Sequence, residues 1–309
     1  MISVIVNFFN NQREAKNTLF SLSRMYQRHV DQTDYEVICL DHGSSMPLSE
    51  IEIFALGKEF KYRFIKGAPV SPVQAINSAC NEALGDYLII MIDGAHLVTP
   101  NILKLNQDAR ALFNHPFVVT PTMHLGPKIQ NQSVMDGYDQ AQEDQLLQSI
   151  QWKENGYRLF EISAAFSDAG FGWFGNLFES GCFGINKQDY FRLGGLNEKF
   201  ISPGGGLVNL DFFKKALTDR GLNYVMLLGE ASFHQFHGGI ASNASAQNHP
   251  FKKFHDEYVM IHGKNFNRAI KKPYFLGSMQ LEAINAMNLS LKKSKQFWEE
   301  TAKNKAQGI

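Results

Sequence analysis

Asp93-Gly94-Ala95-His96 closes the apolar run Tyr87-Leu88-Ile89-Ile90-Met91-Ile92. A carboxylate and an imidazole emerging at the end of a buried strand can hold a metal and the phosphates of a nucleotide. The competing reading is a plain turn, in which Asp93 satisfies local backbone amides. A second run ends in the same way, at Asp41-His42-Gly43-Ser44, and polar Asn7 and Asn10 flank Phe8 and Phe9 after a first run. Together these ends suggest one cleft with three lips: an acceptor for a base, another for a ribose, and a ligand for a metal on a diphosphate. A later pair, His234 and His237, sits in Phe233-His234-Gln235-Phe236-His237-Gly238-Gly239. Its i, i+3 spacing can bring both rings to one side of a turn, which favours a site over a structural role.

The elements that must position these groups alternate strand and helix signals over the first hundred residues, the mark of an α/β fold. Ile2 to Val6 reads as a first strand, and Ala15, Leu19, Leu22 and Tyr26 as the stripe of a helix. Tyr35 to Leu40 and Tyr62 to Ile65 read as strands, Val73 to Leu84 as a helix, and Tyr87 to Ile92 as a central parallel strand. Ligands of open α/β sheets bind beyond the carboxyl ends of such strands. Thr99-Pro100 reads as the cap and first turn of another helix, and Phe117 to Thr120 as a strand. Residues 126–151 are polar, with room for at most one short helix. Leu210, Phe213 and Leu217 mark a helix, Tyr224 to Leu228 the last strand, and from Phe251 the chain reads as helical.

The chain has 309 residues, 44% hydrophobic and 19% charged, an ordinary globular composition that excludes a disordered or fibrous protein. With 30 basic and 30 acidic residues the net charge is +0, so no whole-molecule field draws the chain to nucleic acid. The 3 cysteines, Cys39, Cys80 and Cys182, make neither a disulfide framework nor a zinc spacing, which points to a reducing compartment. The N-terminus reads as a strand and not a leader, and no apolar run reaches the roughly 18 residues of a membrane span. The expectation is a cytoplasmic protein without a transmembrane segment. Lys292, Lys293, Lys295, Lys303 and Lys305 read as a solvated helix face, with peripheral contact to anionic lipid as an alternative.

At this point the residues resemble a family. Ala75-Ile76-Asn77-Ser78-Ala79-Cys80-Asn81-Glu82-Ala83-Leu84-Gly85-Asp86-Tyr87, ending at Ile92-Asp93, is similar to the A-R-N-x-G-x-x-x-A-x-G-D-Y…L-D-x-D-D stretch of family 2 glycosyltransferases. Ile2 to Asn10 resembles their opening V-S-V-I-I-P-x-Y-N, Leu40 to Ser44 their V-D-D-G-S, and Gly194 to Glu198 their G-G-F-D-E. The series covers about residues 1 to 230 in order. The resemblance implies a GT-A fold: a mixed, mostly parallel sheet flanked by helices, Rossmann-like, with a C-terminal helical extension. It implies domain bounds of 1–240, with a donor half to about 125 and an acceptor half beyond, and 241–309 for the extension. It further implies sugar transfer from a nucleotide-sugar donor, UDP-linked, to a glycan or other hydroxyl acceptor in polysaccharide biosynthesis, with inversion. Asn7, Phe8, Asp41, Asp93 and Gly94 would then contact the donor.

The departures from the pattern bear on mechanism. The metal-binding carboxylate position of the family is Ala95 here, so His96 is the substitute, with His234 or His237 completing a shell around Asp93. Imidazole suits Mn²⁺ better than Mg²⁺. The family's E-D base pair falls on Val208 and Asn209, so the base is Glu179 or Asp211. Lys215 at i+4 gives Asp211 a structural alternative. Trp173, with Phe171 and Phe174 among glycines, could stack on an acceptor sugar or simply cover the core. Two other functions compete: a degenerate member that binds nucleotide or glycan without turnover, and a sugar nucleotidyltransferase. The second lacks a Gly-rich loop after the first strand.

Overall fold

Alternating apolar runs and helical stripes build the N-terminal half as a βα series. It contains β1 (Ile2–Phe8), α1 (Gln12–Ser21), β2 (Tyr35–Asp41), α2 (Glu50–Phe54), β3 (Phe60–Phe64), α3 (Val73–Glu82) and β4 (Tyr87–Met91). A short β5 (His96–Val98), α4 (Ile102–Leu112), β6 (Pro116–Val119) and β7 (Thr122–Leu125) follow. The computed structural model describes residues 1–166, 170–239, 243–244 and 250–306. The expected domain bound at 240–241 and part of the aromatic stretch, residues 167–169, lie outside the described residues.

The second half contains α5 (Gln130–Met135), α6 (Gln140–Ser149), a 3₁₀ turn at Gly156–Ile162, β8 (Ser163–Phe166), β9 (Phe183–Asn186) and α7 (Lys187–Arg192). Then come α8 (Val208–Thr218), β10 (Asn223–Leu228), β11 (Ser232–His234), α9 (Phe251–His262), β12 (Tyr274–Gly277) and α10 (Ile284–Ala306).

The main sheet has the order β12-β10-β6-β9-β4-β1-β2-β3 and is parallel except for β9, which runs antiparallel between β4 and β6. The expected mixed, mostly parallel sheet flanked by helices is what the chain forms. Successive residues of its central strands point to opposite faces. Ile5, Leu88 and Ile90 join α3 and α8 in one core, while Val4, Val6, Ile89 and Met91 join α1 and α4 in another. A smaller sheet, β5-β11-β7-β8, stands at the carboxyl ends of the main strands.

Several local expectations change. Residues 126–151 hold two helices, not at most one. The stripe of α6 is weak because one of its two buried residues is Glu143, which a hydrophobic pattern does not count. The helix after Thr99-Pro100 starts at Ile102, because the Thr99 hydroxyl is engaged with the backbone of Ala231. Tyr224–Leu228 is followed by two further strands, and β12 pairs with β10, so the C-terminal segment contributes to the sheet as well as helices.

Candidate functional site

β1 and β2 end level, Phe8 pairing with Asp41, and β4 ends two residues earlier, where Met91 pairs with Val6. Beyond β4 the chain turns through Asp93 and Gly94 into β5. Gly94 is required there, because a Cβ would lie 2.3 Å from the Phe8 ring. The Gly94 carbonyl accepts the Thr18 hydroxyl. Phe8 itself is fully buried, and Asn7 donates to the Ile92 carbonyl, leaving its Oδ1 buried without a partner.

The turn reading of Asp93 accounts for one of its oxygens, and the other faces imidazoles. Oδ1 accepts the Ala95 amide at 2.9 Å, closing the turn. Oδ2 lies 3.2 Å from His237 Nε2, 3.4 Å from His234 Nε2 and 3.9 Å from His96 Nε2. His234 Nε2 and His237 Nε2 are 3.2 Å apart. The register explains the convergence: His96 pairs with His234 across β5 and β11, and His234 with His124 across β11 and β7. Three imidazoles therefore form a row on one face of the small sheet, with ring centroids 4.9 Å apart at each step. Asp93, His96 and His234 offer ligand atoms within 4.8 Å of one another, a set compatible with a divalent metal.

Electrostatics sets the protonation states of these groups. Burial pushes His96 and His234 down to about 4, partly opposed by Asp93, and pushes His124 down to about 3, so these rings are neutral at pH 7. Burial alone would raise the Asp93 carboxyl, but the facing imidazoles, His237 foremost, hold it well below the usual range. His237 titrates above its usual value: its attraction to Asp93 outweighs its own burial. A neutral, electron-donating ring and an ionised carboxylate are what metal coordination needs.

The surrounding shell was missed from sequence. The Gln130 amide donates to His124 Nδ1 at 3.3 Å, and its side chain donates to the His237 carbonyl at 3.1 Å. The Phe236 amide donates to Glu143 Oε2 at 2.7 Å, and Arg13 donates to the Phe236 carbonyl. Only the alternation Met123-His124-Leu125 hinted at any of this, as a half-buried strand with an imidazole on its other face.

The base candidates separate. Gly181, two residues after Glu179, lies against His96, since a Cβ there would lie 2.5 Å from that ring. Asn209 Nδ2 donates to Glu179 Oε2 at 3.4 Å and to the Ser180 carbonyl at 3.3 Å. Burial raises the Glu179 carboxyl, an effect the Asn209 bond only partly opposes. Asp211 is buried elsewhere, 3.1 Å from Lys215 Nζ and 3.0 Å from His262 Nε2. Its charge is thus met by α8 and α9.

Two other residues are placed away from open surface. Both Asp41 oxygens are engaged, Oδ1 by the Ser44 amide and Oδ2 by the Leu48 amide and the Tyr62 hydroxyl, so this carboxylate shapes its own loop. Trp173 is fully buried, packs on Phe160 and donates its indole N–H to the Glu230 carbonyl. Its neighbour Phe171 stacks on Phe297 of α10, and Phe174 packs on Phe275 of β12. These rings cover the core, because the C-terminal elements lie over them.

No protein-family model matches the chain, and no curated protein sequence matches it. Among solved structures the chain is similar to S. aureus TarS 1-349 in complex with UDP-GlcNAc, with a TM-score of 0.55 and 15% identity over 88% of this chain and 68% of that one. S. aureus TarS 1-349 in complex with UDP matches with a TM-score of 0.45 and 12% identity, over 94% of this chain and 64% of that one. At these identities the likeness is one of fold alone, the mixed, mostly parallel sheet flanked by helices that the resemblance implied.

Proposed function

We propose that the chain is a glycosyltransferase that moves a sugar from a nucleotide donor, UDP-linked, to a hydroxyl of a glycan acceptor with inversion. The observation that carries this reading is the Asp93–imidazole group at the carboxyl ends of the sheet. The fold shared with TarS, which was crystallised with UDP-GlcNAc, supports the same donor class. Imidazole donors favour Mn²⁺ over the oxygen-seeking Mg²⁺. When bound, a divalent ion would supply charge to stabilise the departing diphosphate.

The chain's own residues have three tasks. Asp93 and its imidazoles would hold the metal. Asn7, with an unpaired buried oxygen, offers an acceptor to the donor at the end of β1. Glu179 accepts the proton of the attacking hydroxyl; a carboxyl raised by burial is a stronger base than a solvated one. Asn209 orients Glu179 through the bond to Oε2.

The test is release of UDP from a panel of UDP-sugars, with and without simple glycan acceptors. Glu179→Gln is expected to lower kcat by about 10²–10⁴-fold with donor KM little changed. Asp211→Asn should instead lower stability and leave turnover per folded molecule near wild type. If no donor is hydrolysed and calorimetry detects no UDP binding, the enzyme reading fails. UDP binding without any turnover would leave a degenerate binding protein.

A further inference from the structure

Charge is unevenly spread along this neutral chain. Residues 251–309 hold 11 Lys and Arg against 5 Asp and Glu, whereas residues 1–250 hold 19 against 25. The acids of the C-terminal part are engaged with other groups. Asp256 pairs with Lys252 and Glu299 with Lys295, while Glu257 accepts the amides of Ile201 and Ser202. Glu282 accepts from Asn155, and Glu300 from Gln296. Among the described residues, Arg268 and Lys272 are left without a carboxylate partner.

Both cations sit on rings instead. The Arg268 guanidinium lies 4.1 Å from the centre of the Phe178 ring, and Lys272 Nζ lies 5.8 Å from that of Trp298. These rings belong to one aromatic band. Phe171 meets Phe178 edge-on and stacks on Phe297, and Phe297 abuts Trp298. The Trp298 indole donates to the Phe174 carbonyl, and the Phe174 ring packs on Phe275. The segment that carries the cations is held by its alternate residues. Asn176 donates to the Ala269 carbonyl and accepts the Lys271 amide, and Lys271 Nζ donates to the carbonyls of Asp219 and Leu222. Arg268, Ile270 and Lys272 are left exposed, and Ile270 and Phe275 each keep 49% of their surface in water.

This combination selects a partner. A soluble polyanion would use the two charges but has no use for the exposed Ile270 between them or Phe275 beside them. A bilayer with anionic headgroups uses all of these: headgroups meet the cations, aromatic rings suit the polar–apolar boundary, and apolar tips enter it. We propose that Arg268, Ile270, Lys272 and Phe275, set on the aromatic band that α10 completes, form a docking surface for an anionic lipid bilayer. The surface is built from residues outside the Asp93–imidazole group, so the claim holds whether or not the chain transfers sugar.

The experiment floats the full chain with vesicles of phosphatidylcholine alone and of phosphatidylcholine mixed with phosphatidylglycerol. The expected result is binding to the mixed vesicles only, weakened by high salt because the charges are exposed. Arg268→Gln and Lys272→Gln should each weaken binding by about 5-fold, and Ile270→Ser by about 10-fold. Lys252→Gln removes a charge already paired with Asp256 and should change binding by less than about 2-fold. All four positions are exposed, and circular dichroism of each variant checks that the fold is kept. No binding of the wild type to mixed vesicles, or equal binding to both kinds, would overturn the proposal. Equal losses from Lys252→Gln and Arg268→Gln would do the same, by showing a diffuse field and not a site. Binding unchanged by Ile270→Ser, with inorganic polyphosphate held as tightly as vesicles, would assign the patch to a soluble polyanion instead. UDP release, measured without vesicles, reports on the enzyme reading alone.

Discussion

Gly181 has no side chain at the point where one would strike His96. A Cβ there would lie 2.5 Å from both Cε1 and Nδ1 of the ring and 3.0 Å from the Ser232 hydroxyl. Gly181→Ala should therefore push His96 out of line with Asp93, at a cost of about 1–3 kcal/mol. Urea denaturation in chelator measures the cost, and Mn²⁺ titration measures the change in metal affinity; no change in either would mean that His96 has room to spare. Single residues also show where sequence reasoning stops. Asp41 and Asp93 are both acids at strand ends, and the sequence treats them alike. Asp41 is surrounded by amides and a phenol that take both its oxygens, while Asp93 keeps one oxygen for the imidazoles.

At the scale of elements, α6 matters more than its weak stripe suggests. Glu143 is fully buried and titrates near 7, raised by burial and only partly offset by the Phe236 amide and by Arg13. Arg13 reaches Glu14, Glu143 and Asp144, all within 3.0 Å, and so joins α1 to α6 behind the His237 segment. Removing it strands buried carboxylates, and Arg13→Ala should cost about 3–5 kcal/mol. Arg13→Ala combined with Glu143→Gln should recover part of that loss, since the pair is coupled. Equal stability of the single and double variants in urea would show that the ion pairs do not hold α6. The small sheet makes the same point: His96, His124 and His234 lie far apart in sequence and become neighbours through pairing register alone.

For the whole molecule, Glu230 sits where the two sheets, α4 and the 3₁₀ turn meet. Its carboxylate accepts from the Tyr157 hydroxyl at 2.7 Å and the Asn101 amide at 3.3 Å, and its carbonyl accepts from Trp173. Burial raises it from 4.5 to about 7. The folded chain then keeps a proton that the unfolded chain loses, so this group's contribution is largest below 4.5 and falls as pH rises through 7. Wild type should lose up to about 3 kcal/mol relative to Glu230→Gln between those limits. Denaturation across that range in chelator reads the difference; a flat difference would mean that Glu230 is ionised throughout. His96 and His234 act in the opposite sense. Their values fall from 6.5 to about 4, so their contribution is present above 6.5 and is lost as pH falls toward 4. Comparing wild type with the Glu230 variant cancels that opposing slope. Among the described residues no helix is long and apolar enough to cross a membrane.

The sequence by itself determined the α/β class, the βα order of the first hundred residues and the strand ends at which polar groups emerge. Those features are local: period-two and helical patterns and turn residues act over a few positions. It also singled out Asp93, His96, His234 and His237, because each stands at or just beyond the end of an apolar run. Only the tertiary structure decided that these four converge, that His124 joins their row, that Asp211 is met by Lys215 and His262 while Glu179 meets Asn209, and that Trp173 is core. Each of those outcomes depends on pairing register, on a glycine's empty space or on a buried ion pair. Such contacts join residues far apart in sequence, and no local pattern encodes them.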